Sequence, residues 1–170
     1  YLRTEEGWCY LATVMDLYSR RIIGWSVSKQ NDSELVSKAL QGAILTRGGK
    51  VSAGLIHHSD RGSSYAGTHY QRLLGTFRIK QSMSAKGNCY DNAAMESFYG
   101  RYKTASVRGH VFTGEEQARS NAFEYIEMFY NRFRKHASLG YENPAEFEAK
   151  ILPPMGGKST SSLAACPNNN

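Results

Sequence analysis

Residues 8–27 read WCYLATVMDLYSRRIIGWSV, two runs of apolar, β-branched and aromatic residues parted by the polar DLYSRR. Such residues suit a pleated, half-buried surface, and a short polar break between two such runs predicts strands folded back as a hairpin. A hairpin with an apolar face must be covered by another layer, so the elements after the hairpin decide the fold class.

Helical spacing comes next. Asn31 and Asp32 can cap a helix starting at Ser33, and Val36, Leu40, Ala43 and Ile44 keep one face until Gly48 and Gly49 end it. A strand over 54–58 then delivers Asp60 to its C-terminal end, where open α/β sheets hold their ligand sites. A helix over 67–74 and a short strand over 78–82 follow, and SAKGNCYDN has the Gly, Asn and Asp content of a loop.

Two more helices close the pattern. Over 92–106, Met95, Phe98, Tyr102 and Ala105 form a core stripe, leaving Asn92, Glu96, Tyr99, Gly100 and Lys103 on another side, so Glu96 faces away from most of the core. Over 114–136, Ala118, Ala122, Ile126, Phe129 and Phe133 form a second stripe that ends in the basic Arg132, Arg134, Lys135 and His136. The order β-β-α-β-α-β-α-α predicts an α/β fold, a mixed sheet flanked by helices, that begins with fewer strands than such sheets usually have.

The chain has 170 residues, 41% of them hydrophobic, which suits one domain over 1–150. Residues 151–170, rich in Pro, Gly, Ser and Asn, bury too little apolar surface to offset ordering entropy and are predicted to be a disordered tail. Cys9, Cys89 and Cys166 are far apart and form no C-x-x-C, which argues against a disulfide framework and a thiolate zinc site. With no apolar run of membrane-spanning length and no leader-like start, the expectation is a cytoplasmic protein without membrane partners. The net charge of +6 favours a polyanionic partner such as DNA, although a merely soluble basic protein has the same charge.

HSDRGSSY holds Asp60, and 35 residues separate it from Glu96. Convergent carboxylates at a sheet edge bind hard divalent cations and support phosphoryl transfer. Asp-x-Gly is also a turn former and a lone helical Glu is usually solvated, so spacing alone leaves both readings open.

HSDRGSSY, KGNCYDNAAMESFYGRYK and YIEMFYNRFRKHASLGYENPAEFE, in this order, closely resemble the integrase core of bacterial insertion-sequence transposases of the IS-three type, relatives of retroviral integrases. The likeness covers residues 1–150. It implies a ribonuclease-H-like fold whose first strand is largely missing here, and cleavage and strand transfer of DNA, element ends and target, with Mg²⁺ or Mn²⁺. It assigns Asp60 and Glu96 as catalytic metal ligands, the second and third of the family's three acids. By register the first acid falls two or three residues before Tyr1, so the chain as it stands is expected to be inactive and either marginally stable or oligomeric. Asp16 aligns with a hairpin Asp that the family does not use in catalysis.

The resemblance further implies that Lys103 meets DNA near the reacting end, that Lys86 lies in a loop bordering the site, and that Arg132, Arg134 and Lys135 contact phosphate. Asn92, one turn before Glu96, either bonds that carboxylate or caps its helix, and His58, on the strand face of Asp60, is either a structural histidine or a supporting residue. The expected assembly is a homo-oligomer on DNA in bacteria. The other readings are an inactive DNA-binding remnant and a ribonuclease-H-like nuclease that cuts without joining.

Overall fold

The computed structural model describes residues 1–84 and 93–151, so the expectations at Lys86 and Asn92, and for the tail beyond Ile151, lie outside the described residues. The hairpin forms as β2 (Gly7–Met15) and β3 (Ile22–Ser28), antiparallel with an irregularity at Val14/Met15. A short strand not expected from the pattern, β1 (Leu2–Thr4), pairs with Gly7–Cys9. From Tyr10 onward β2 is laddered only to β3.

α1 (Ser33–Thr46) forms as predicted, but the cap is Asp32 alone, whose Oδ1 accepts from the amides of Glu34 and Leu35. β4 (Ile56–Ser59) and β5 (Lys80–Met83) each start two residues later than the spacing suggested and pair in parallel. Between them lie a single turn, α2 (Ser63–Ala66), and α3 (Thr68–Thr76). The expected mixed sheet is thus two sheets among the described residues, β1-β2-β3 and β4-β5, because β1 is too short to ladder along β2 and bridge them.

Helices cover both faces of the three-stranded sheet. Ala12 on β2 packs with Leu35, Leu40, Tyr70 and Leu74 of α1 and α3, while Cys9, Ile22 and Val27 pack with the last helices. α1 lies hard against β3 because Gly24 has no side chain: a Cβ there would sit 2.2 Å from the carbonyl oxygen of Ala39 and 2.4 Å from the amide nitrogen of Ala43.

The helix predicted over 92–106 is α4 (Ala93–Tyr102), which widens into a π-helical segment, Lys103–Val107. Phe98 and Tyr102 are buried as expected, whereas Ala105, beyond the change of pitch, is exposed. The predicted second long helix is α5 (Glu115–Phe123) followed by a π-helical segment, Glu124–Tyr130, and it stops short of His136. Ala118, Ala122 and Ile126 are fully buried, but Tyr130 takes the next core position, and Phe129 and Phe133 are exposed. Hydrogen bonds to i+5 turn the chain less per residue, so residues four apart stay on one face and the 3.6-residue stripe drifts off it.

A further helix that the hydrophobic pattern left unmarked, α6 (Pro144–Ile151), starts with proline in its first turn and with Asn143 Oδ1 accepting from the Glu146 amide at 2.8 Å. It inserts Glu148, 5% exposed, between Arg21 and Arg47, and both guanidiniums donate to its carboxylate. Arg47 also pairs with Asp16 Oδ2 at 2.8 Å, and Asp16 Oδ1 accepts from the amides of Tyr18 and Ser19. Asp16 is therefore the turn residue that the register implied. Burial alone would raise the Glu148 carboxyl, but its bonds to Arg47 and Arg21 outweigh that and hold it below the usual glutamate value.

Two stability changes are expected. Gly24→Ala forces backbone apart and should cost about 1–3 kcal/mol in urea unfolding. Glu148→Gln should cost about 1–3 kcal/mol at neutral pH by leaving two charged donors short of an acceptor. The lowered carboxyl stabilises the fold above the unfolded-state value and stops doing so as pH falls through the folded one, so the parent and variant melting curves should converge under acid.

Candidate active site

Asp60 is the first residue beyond β4. Its Oδ1 accepts from the Gly62 amide at 2.9 Å, so the turn reading of HSDRGSSY is correct as far as it goes. Oδ2 has no protein partner among the described residues, and the side chain is exposed. The turn is pinned to the parallel pair by Arg61 Nε donating to the Ser84 carbonyl at 3.0 Å. A Cβ at Gly62 would lie 2.9 Å from Asp60 Oδ1 and push the carboxylate aside.

His58 is satisfied on both nitrogens, by Ser82 Oγ at 3.1 Å and Ser84 Oγ at 3.0 Å, and so acts as a structural histidine joining β4 to β5. Its neighbour His57 meets the Tyr70 hydroxyl at 3.1 Å, and burial followed by the charge of His58 lowers its basicity.

Glu96 stands in the first turn of α4, exposed, with no hydrogen bond or ion pair among the described residues. One turn further along, Tyr99 fastens this helix to the sheet: its hydroxyl is 2.9 Å from Thr13 Oγ1 and donates to the Leu11 carbonyl at 3.3 Å. Burial raises the Tyr99 phenol above its ordinary value; the bonds to Thr13 oppose this, and the charge of Asp60 adds to it. Burial also raises the Tyr65 phenol, with Tyr99 and then Asp60 adding to the effect. Asp60 therefore lies within electrostatic reach of Tyr99.

Lys103 is exposed at the junction of α4 and its π-helical extension, two turns past Glu96, and lacks an acidic partner among the described residues. Arg134 and Lys135 line a cavity against α4, whereas Arg132 is exposed and does not line it. Arg20 and Arg101 join that cavity, and neither was marked by sequence pattern, because one sits in a hairpin turn and the other on an ordinary helix surface. Among the described residues no three His, Cys, Asp or Glu side chains cluster as a metal cage. No helix of the described residues is long and apolar enough to cross a membrane.

Integrase core domain models match residues 1–89 and 77–144. The chain belongs to the integrase core domain family. It is 46% identical over 152 residues to the transposase InsF for insertion sequence IS3A of Escherichia coli strain K12, a match covering 89% of this chain and 52% of that protein. A 31 kDa protein of insertion element IS600 from Shigella sonnei is 46% identical over 150 residues, covering 88% of this chain and 54% of its own. The chain thus spans about half the length of these curated relatives.

Among solved structures, the HTLV-2 integrase catalytic core in complex with magnesium, a trimeric form, superposes with a TM-score of 0.61 at 15% identity, covering 85% of this chain and 88% of that one. The catalytic core of BIV integrase gives 0.58 at 14% identity, covering 88% and 90%. The integrase in a simian T-cell lymphotropic virus intasome gives 0.66 at 14%, covering 96% and 56%. The fold of this integrase-core chain is therefore the ribonuclease-H-like fold of integrase catalytic cores.

Gly62→Ala should leave thermal unfolding cooperative while displacing Asp60 from the Gly62 amide. The expected readout is a changed ¹³C chemical shift of the Asp60 carboxyl carbon, with that of Glu96 unaltered.

Proposed function

We propose that this domain is the catalytic core of a bacterial transposase that cleaves DNA at element ends and joins the freed ends to target DNA. The observation that carries this reading is that Asp60 Oδ2 and the whole Glu96 carboxylate are exposed and have no protein partner among the described residues. Free, hard oxygen donors of this kind suit Mg²⁺ or Mn²⁺, whose charge on binding favours deprotonation of an attacking hydroxyl and stabilises the leaving oxygen.

In this reading Asp60 and Glu96 hold the cation, the Gly62 amide fixes the orientation of Asp60, and Lys103 meets a phosphate of the reacting strand. The resemblance alone adds Lys86, as a residue of the loop that borders the family's site, and Asn92, as a partner of the Glu96 carboxylate or a helix cap. Water first cleaves a phosphodiester and leaves a 3′-hydroxyl. That oxygen then attacks a target phosphodiester, a P–O bond forms as another breaks, and the departing target 3′-oxygen takes up a proton. DNA is the partner, in a homo-oligomeric complex in the bacterial cytoplasm. A second reading, favoured by the basic cavity beside α4, is a DNA-binding module without catalysis.

Mn²⁺ added to the isotopically labelled chain should broaden amide signals around Asp60 and Glu96, and Asp60→Asn with Glu96→Gln should abolish this. Metal-dependent strand transfer assayed in a full-length transposase carrying this domain should fall at least 100-fold with Glu96→Gln. Cleavage without joining would identify a nuclease, and DNA binding without either reaction would support the second reading.

A further inference from the structure

The cavity beside α4 is not the carboxylate site. It has a volume of about 510 Å³, and five of its lining residues are Arg20, Arg101, Arg134, Lys135 and His136. No acid lines it. Elsewhere in the described chain the partly buried arginines are matched: Arg21 and Arg47 to Glu148, and Arg119 to Glu115. Arg20, Arg101, Arg134 and Lys135 have no carboxylate partner among the described residues, so four cations face one cavity uncompensated. Mutual repulsion makes such an arrangement costly until an anion enters, and the buried rings of Phe98 and Tyr130 in its wall strengthen the attraction once one does.

Two details indicate that the cavity is built for a ligand. His136 Nε2 is buried with no hydrogen-bond partner. The residue itself is clamped: its amide donates to the Glu142 carbonyl at 2.9 Å, its carbonyl accepts from Leu139 and Tyr141, and its ring meets Tyr130 edge-on at 5.1 Å. Burial, then the charges of Arg134, Arg101 and Arg20, hold the imidazole below its ordinary value, and an entering anion opposes the effect of those three charges. Arg20, meanwhile, is held at φ 60, a left-handed conformation that is strained for a non-glycine residue.

We propose that this cavity is a phosphate-binding site for the backbone of the DNA on which the domain works, distinct from the carboxylate pair; the assignment of the anion to DNA rests on the function proposed above. Ala93, Ser97 and Arg101 carry the cavity on one side of α4, and Glu96, Gly100 and Lys103 lie on a neighbouring side. The two are separated by about the width of one helix, ~10 Å, or about three nucleotides along a strand. One bound duplex therefore reaches both, and the cavity fixes its register while the carboxylates act on it.

The test measures binding of a short DNA duplex by fluorescence anisotropy across a salt series, without divalent metal. Arg20→Gln with Arg134→Gln should weaken binding at least tenfold at 0.1 M salt and reduce the slope of log K against log salt by about two. Arg72→Gln with Lys80→Gln, an equal loss of charge at exposed positions outside the cavity, should weaken it less than threefold. If the first pair fails to fold, Arg101→Gln with Lys135→Gln replaces it. Inorganic phosphate should shift the His136 ring signals of the parent chain and not those of the cavity variant. Equal effects of the cavity and control pairs, or unmoved His136 signals, overturn the proposal. Failure of strand transfer or of Mn²⁺ binding counts against the carboxylate site alone, because neither measurement here uses metal.

Discussion

The architecture turns on how closely α1 can approach its neighbours. At Gly24 the helix backbone occupies the volume that a side chain on β3 would need, and at Gly67 a Cβ would lie 2.5 Å from Ser33 Cβ at the start of the same helix. These two contacts seat α1 on the sheet and bring the segment after β4 against it. Asp60 thus inherits its position from packing several residues away, which is how a site on a loop acquires the rigidity of a scaffold.

Electrostatics divides the basic residues into two groups. Arg21 and Arg47 lock α6 to the hairpin turn and to the end of α1 through Glu148, and Arg119 pairs with Glu115 within α5 while donating to the Val27 carbonyl on β3. These charges serve the fold. Lys103 and the cations around the α4 cavity have no such partners among the described residues, so much of the +6 net charge is available to a polyanion. Net charge alone could not separate the two groups; the ion pairs do.

What the sequence made legible was local. Alternating and β-branched runs marked β2 and β3, Asp32 and Gly48 bounded α1, and HSDRGSSY placed Asp60 just past a strand. Nonlocal terms account for the misses. The stripe through Phe129 and Phe133 presumed a constant helical pitch, which the π-helical segment Glu124–Tyr130 breaks. α6 is short, and its buried residues are a proline at its start and a glutamate, so a hydrophobic pattern passes over it. Tyr99 was placed on the outer side of its helix, yet its hydroxyl reaches Thr13, 86 positions away in the chain.

Arg20 shows how folding and function are set against each other at a single position. Glycine there would relieve the left-handed backbone and remove the guanidinium in the same change. Selection for a more robust fold and selection for anion affinity would therefore drive this residue in opposite directions. A stabilising substitution in the hairpin turn would come with weaker grip on nucleic acid, a trade-off that melting temperature alone would record as an improvement.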